Sequence, residues 1–184
     1  MLFSVLPMNH PNRESRRALD PQYFKRIEAV EYTRKMDDGA HPERWRYADI
    51  LLLGVSRSGK TPLSIYLGQR GFKVANLPIV KGIAIPPELY EIDQSKVFAL
   101  TIDAQHLFKI RRSRMGSMGV GRSKSMYADL KGVLEELEYV HRLYKQNPAW
   151  PILDVTNMGV EESAARIQRI ISERHGLGEQ ILYP

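Results

Sequence analysis

The sequence predicts a three-layer α/β domain, a mostly parallel sheet with helices on both faces. Three observations predict it. Short continuous apolar runs alternate with segments of helical spacing. Those runs lack the in-out alternation of a half-solvated strand, as strands buried on both faces do. The first run also opens directly into a glycine-bearing bend that a helix pattern follows. Strands joined through helices in this way imply right-handed crossovers.

The elements follow in order. Residues 1 to 20 carry Pro7, Pro11, Asn12 and alternating charges without periodicity, so a mobile lead-in is expected before a single domain spanning 21–184. From Pro21 the spacing of Tyr23, Phe24, Ile27 and Val30 predicts a helix, with Asp20 as N-cap and Pro21 at its first position. Asp37-Asp38-Gly39 stops it. Ala48 to Leu53 reads as a strand, Thr61 to Gln69 as a helix, Lys73 to Ala75 as a short strand and Val97 to Ile102 as a third. Residues 104 to 115 read as a helix, Gly116 to Ser125 as a flexible loop, and Met126 to Lys145 as a long amphipathic helix. Its expected apolar stripe is Met126, Leu130, Val133, Leu134, Leu137, Val140 and Tyr144. After the break at Pro148 to Pro151, Ile152 to Val155 reads as a fourth strand. Val160, Ala164, Ile167 and Ile171 mark a closing helix.

Composition narrows the function classes. The chain has 184 residues, 43% of them apolar, and no cysteine, enough to bury one core without disulfides or structural zinc. No run approaches ~18 consecutive apolar residues, and the apolar stretch in MLFSVLPMNHPNRE is too short for a secretory signal; a soluble intracellular protein without membrane contact is expected. Lys plus Arg number 27 against 21 Asp plus Glu, a net charge of +6. The excess is concentrated. Between Asp103 and Asp129 no acidic residue occurs, while Lys109, Arg111, Arg112, Arg114, Arg122 and Lys124 all fall there. Such a window reads as a solvated helix face or as an anion site. No aromatic interleaving supports a single-strand nucleic-acid groove, and Trp45 and Trp150 are expected to be packing residues. The histidines show no metal-ligand spacing.

Directly after the first strand stands Gly54-Val55-Ser56-Arg57-Ser58-Gly59-Lys60-Thr61, which satisfies G-x-x-x-x-G-K-[ST] at every fixed position. Glycines let backbone N–H groups turn toward an anion, Lys60 can reach terminal phosphates, and Thr61 can offer its hydroxyl to Mg²⁺. Chance alone produces the pattern in about 0.6% of chains this long, and the strand-before, helix-after context makes a mere turn less probable still. The expected nucleotide contacts are therefore Gly54 through Thr61. For Mg²⁺ the partner of Thr61 is expected to be Asp103, at the end of the third strand, although Asp103 is also placed to cap the helix from 104. Asp154 is a second strand-borne carboxylate, and Asp37 and Asp38 are an adjacent pair in a turn. Arg111 and Arg114, three residues apart on one helix face before the Gly116 to Ser125 loop, are expected to clamp phosphate in the manner of a small kinase lid.

The residues carry more than a generic phosphate loop. The stretch Ala48 to Leu67, then Gly71-Phe72-Lys73-Val74-Ala75-Asn76-Leu77-Pro78, resembles the pyruvate, phosphate dikinase regulatory protein family. Tyr23 to Ala29 with Asp37-Asp38-Gly39, Leu100 to Asp103, Ile110-Arg111 with Arg114, Ser125 to Ala128, Trp150 to Thr156 and Glu161 to Ala165 resemble its other blocks in order. The resemblance covers about residues 21 to 174 and supports a P-loop kinase-like fold. It implies a bifunctional enzyme: an ADP-dependent kinase that phosphorylates a threonine of the dikinase, and a phosphorylase that removes the group with inorganic phosphate, giving pyrophosphate. One cradle centred on Lys60 would then hold the β-phosphate of ADP or inorganic phosphate, with Asp37, Asp38 or Asp154 as candidate base. A sister branch acts on phosphoenolpyruvate synthase; residues 69–76 look closer to the dikinase branch. Family members carry a further region upstream of Tyr23-Phe24, expected to be absent here. The implied location is bacterial cytoplasm, or chloroplast stroma for a plant protein, and a homodimer is compatible with the resemblance. The alternatives are a small-molecule P-loop kinase and a non-catalytic nucleotide-binding module. A GTPase is disfavoured, since no Asn-Lys-x-Asp motif occurs.

Overall fold

A computed structural model describes residues 21–117 and 129–176. The expected Asp20 cap, the lead-in and most of the Gly116 to Ser125 loop lie outside them. Helix α1 (Pro21–Lys35) buries Ala29, Tyr32 and Thr33. Strand β1 (Ile50–Gly54) leads through the phosphate loop into α2 (Lys60–Gln69) and then β2 (Val74–Pro78). An irregular stretch holding the short helix α3 (Glu88–Glu91) precedes β3 (Val97–Thr101) and α4 (Ala104–Ser117). Helix α5 (Leu130–Gln146), β4 (Ile152–Asp154) and α6 (Val160–Arg174) complete the order.

The four strands lie in the order β2-β1-β3-β4, and every pairing among them is parallel. Alternation along β1 divides the core. Leu51 and Leu53 face one cluster with Leu107 of α4, Val133, Leu137, Val140 and Tyr144 of α5. Ile50 and Leu52 face the other, with Leu63 and Leu67 of α2 and Ala164 and Ile167 of α6. Helices therefore cover both faces, which is why the strands read as unbroken apolar runs. Both tryptophans are buried, at 0% for Trp45 and 3% for Trp150, as packing residues should be.

Two expectations need correction. Helix α5 starts at Leu130, with Asp129 at its N-cap; residues 126–128 lie outside the described part. Leu134 does not belong to the apolar stripe: it is 51% exposed, because Val133, Leu137, Val140 and Tyr144 already define the face and Leu134 sits about 100° round the helix from Val133. Leu143 is buried in its place.

The edge strand β2 is covered rather than left open. Thr33 of α1 accepts a hydrogen bond from the Val74 amide at 3.1 Å. The Asn76 amide donates to the Met36 carbonyl at 3.2 Å. These satisfy outward groups that would otherwise invite pairing with another chain. They also bring the end of α1, and the Asp37–Gly39 turn after it, to the carboxyl end of β2.

Candidate active site

The chain runs from β1 to β2 on one side and returns to β3 on the other side of β1. The crevice beyond the carboxyl ends of β1 and β3 is thus a topological switch point, where open α/β sheets bind ligands. The bend between β1 and α2 sits there. A Cβ on Gly54 would lie 2.7 Å from Ser58 Oγ and 3.3 Å from Leu100, so only glycine lets the bend fold this tightly. Arg57 (φ 72°) and Gly59 (φ 84°) take left-handed backbone to close it. A Cβ on Gly59 would meet nothing within 4 Å, so the space over it is open. Gly59, at the N-cap of α2, has no side chain to cap the first turn, and Ser58 Oγ, buried, finds no hydrogen-bond partner among the described residues. Uncapped amides at a helix start, open space and an unsatisfied hydroxyl together fit a phosphate.

Lys60 is 5% exposed, and its Nζ donates to the Gly54 and Val55 carbonyls at 3.0 and 2.8 Å. Burial lowers its pKa to about 8; the carboxylates of Asp38 and then Asp37 oppose the fall, and Arg111 adds to it. The ammonium is held against the bend by its own carbonyls, beside two carboxylates.

Thr61 has a different carboxylate from the expected one. Its Oγ1 donates to Asp37 Oδ1 at 3.0 Å, whereas Asp103 Oδ1 accepts from the His106 amide at 2.9 Å and so caps α4. The Asp103 amide donates to Thr156 Oγ1 at 2.8 Å, and Asp154 Oδ1 accepts from both the hydroxyl and the amide of Thr156. Those hydrogen bonds hold the Asp154 carboxyl below its ordinary range. Asp103, Asp154 and Thr156 therefore tie the ends of β3 and β4 together. Among the described residues no cluster of three or more His, Asp or Glu could hold a metal by itself. Mg²⁺ normally needs only one or two carboxylates plus substrate phosphates, and the Thr61–Asp37 pair fits that donor set.

Arg111 is fully buried. It donates to the Ser56 carbonyl at 3.1 Å and to Glu136 Oε2 of α5 at 2.7 Å, so it braces the bend from beneath. Arg114, one turn on, is exposed.

One residue had no role in the sequence reading. Asn76, 0% exposed at the end of β2, donates through Nδ2 to Asp37 Oδ1 and to Ser64 Oγ, and accepts the Asp38 amide on Oδ1 at 3.1 Å. It clasps the Asp37-Asp38 turn onto the phosphate loop. A polar residue inside the apolar run Val-Ala-Asn-Leu was the available signal. Asn76→Ala leaves the Asp38 amide and one Asp37 lone pair without a partner, and chemical denaturation should show a loss of about 1–3 kcal/mol.

Fold and site together define a P-loop α/β domain whose glycine-bearing bend lies beside a pair of carboxylates. The chain belongs to the kinase/pyrophosphorylase family, whose profile matches residues 3–168. It is 51% identical over 158 residues to pyruvate, phosphate dikinase regulatory protein 1, chloroplastic, of Arabidopsis thaliana, covering 85% of this chain and 39% of that protein. The corresponding Zea mays protein is 47% identical over 171 residues, 93% of this chain and 40% of its own length. A Geobacter sulfurreducens relative is 52% identical over 149 residues, 81% of this chain and 55% of its own length. The chain thus spans about two fifths of these plant relatives and just over half of the bacterial one. Among the described residues no helix is long and apolar enough to cross a membrane.

Proposed function

We propose that this chain is the catalytic P-loop unit of a bifunctional regulator of pyruvate, phosphate dikinase. In one direction the β-phosphoryl of ADP passes to a threonine hydroxyl of the dikinase and AMP leaves. In the other, inorganic phosphate takes the phosphoryl group from that threonine, releasing pyrophosphate and restoring the hydroxyl. The observation that carries the reading is the joining of the Gly54–Thr61 bend to the Asp37-Asp38 turn by Thr61 and Asn76. Both reactions need an anion held beside one hydroxyl, and a single cradle supplies it to each.

The residues divide the work. Amides of the bend and Lys60 hold and neutralise the terminal phosphate, and Arg114 adds positive charge from α4. Mg²⁺, which Thr61 and Asp37 would hold, supplies further neutralisation of phosphate charge. Asp38 is the base that takes the threonine proton. Its carboxylate is exposed, its amide is fixed by Asn76, and it opposes the depression of the Lys60 pKa more than Asp37 does. Asp37 is committed to Thr61 and Asn76, and Asp154 to Thr156.

The test is incubation of the chain with ADP and the phosphohistidine form of the dikinase, with mass mapping of the product. One phosphorylated threonine, lost again with pyrophosphate release when phosphate replaces ADP, is expected. Phosphate transfer to a small acceptor but not to protein would instead identify a metabolite kinase. Binding of ADP with no modified dikinase would leave a nucleotide-sensing module.

A further inference from the structure

Helix α4 turns two neighbouring faces to two different places. His106 and Ile110, four residues apart, face the crevice beside the phosphate bend. About 100° round the helix, Gln105, Phe108, Lys109 and Arg112 line a separate groove of about 590 Å³, bounded by Leu130 at the start of α5. Its floor is apolar, since Phe108 and Leu130 are half-buried, and its rim is cationic, since Lys109 and Arg112 are exposed. The Arg112 guanidinium lies 5.8 Å from the centre of the Phe108 ring, laid across the floor by cation–π attraction.

That charge is not paired within the described residues. Residues 104–117 include Lys109, Arg111, Arg112 and Arg114 and no Asp or Glu. Glu136 of α5 is taken by the buried Arg111, and among the described residues neither Lys109 nor Arg112 forms an ion pair. Residues 118–128, between α4 and α5, add Arg122 and Lys124 and no carboxylate, so this chain's own connection supplies no counter-charge. Like charges three residues apart on a helix repel; an acidic partner removes that repulsion.

We propose that this groove docks an acidic segment of the protein substrate, with carboxylates against Lys109 and Arg112 and one apolar side chain on the Phe108–Leu130 floor. The proposal rests on the reading of the chain as an enzyme acting on a protein, and names the surface that holds that protein. The place of the groove favours the role. Helix α4 starts where β3 ends, at the crevice where the bend sits, and the groove begins one residue inside the helix, at Gln105. From Gln105 to Arg112 is about 10 Å of helix, so about three or four extended residues carry a bound chain from the outer end of the groove to the crevice. A lone threonine offers few contacts there, and affinity for a protein must come from contacts away from the reacting hydroxyl. Both cations also belong to the acid-free window in which the charge excess is concentrated, which steers an acidic surface to this side of the molecule. Nucleic acid suits the groove poorly: its one aromatic ring is half-buried under Arg112 and offers no stacking platform.

The test is a Lys109→Glu/Arg112→Glu double variant, assayed in both directions with intact dikinase. Both side chains are exposed, and neither lines the bend. KM for the dikinase in phosphorylation, and for the phosphorylated dikinase in phosphorolysis, should each rise about tenfold or more, because like charges then face each other. At saturating dikinase, kcat and KM for ADP should each stay within about twofold of wild type, which also shows that the variant is folded. Raising salt from about 50 to 300 mM should raise the wild-type KM for the dikinase and leave that of the variant nearly flat. Lys109→Arg/Arg112→Lys, which exchanges the two cations, should stay within about twofold of wild type throughout. A dikinase KM unchanged by the double reversal, or a KM for ADP that rises in step with it, would overturn the docking surface while leaving the kinase and phosphorylase reading in place. So would a variant that loses affinity for a single-stranded oligonucleotide and not for the dikinase. A wild type that never modifies the dikinase would overturn that reading, and the docked partner with it.

Discussion

Lys60→Met should abolish ADP-dependent phosphorylation and phosphate-dependent removal alike, each by at least about 10²–10³-fold in initial rate, the range seen when one fixed donor to a developing anion is removed. Parallel loss is the expected signature of a shared cradle; a folded Lys60→Met protein retaining either activity near wild-type level would separate the two sites. The same substitution has a stability signature that needs no ligand. Burial holds the folded lysine at about 8 against 10.5 for the unreacted side chain. Between those values the unfolded chain binds the additional proton, so stability rises with pH through that window. From pH 8 to 10 the wild type should gain roughly 2 kcal/mol relative to Lys60→Met, read from denaturant midpoints at each pH. The window closes at its upper end because the unfolded lysine itself loses its proton near 10.5; Tyr32, raised to about 12 by burial, adds an opposite slope that wild type and variant share. Tyrosines ionising in the unfolded chain from about pH 10 then reverse the slope. A wild type whose stability tracks that of the variant from pH 8 to 10 would mean that Lys60 is solvated in the folded protein.

Asp38→Asn should cost about 10²–10⁴-fold in phosphorylation rate, the usual contribution of a positioned base, while ADP affinity changes little. The substitution is gentle on the fold. Asp38 has φ 52°, a left-handed conformation that asparagine also adopts readily, and the clasp from Asn76 acts on the backbone amide rather than on the carboxylate. The readout that distinguishes a base from a structural turn residue is a fall in kcat with KM for ADP preserved. Comparable losses from Asp154→Asn, with Asp38→Asn unaffected, would move the base to the end of β4.

Much of this molecule was legible in its chain. The four strands appear as apolar runs because helices cover both sheet faces, and each was located to within a few residues. The phosphate loop was legible because its mechanism demands glycine and lysine at fixed spacing, close together in sequence. The Asp37-Asp38-Gly39 turn was visible as turn chemistry, but its place in the site was not, since 24 residues separate Asp37 from the Thr61 it meets. Spacing predicted Arg111 as a lid clamp; it is instead a buried brace, because α5 brings Glu136 to it across 25 residues.

Local order therefore decided the bend, the helix that leaves it and the strand that enters it, since each depends on backbone freedom and on side-chain patterns within a few residues. Which carboxylate meets Thr61 was decided by the way α1 closes over the edge of β2 and hands its final turn to Asn76. That pairing rests on hydrogen bonds between segments distant along the chain, and a one-dimensional pattern carries no record of which distant groups folding brings to within 3 Å.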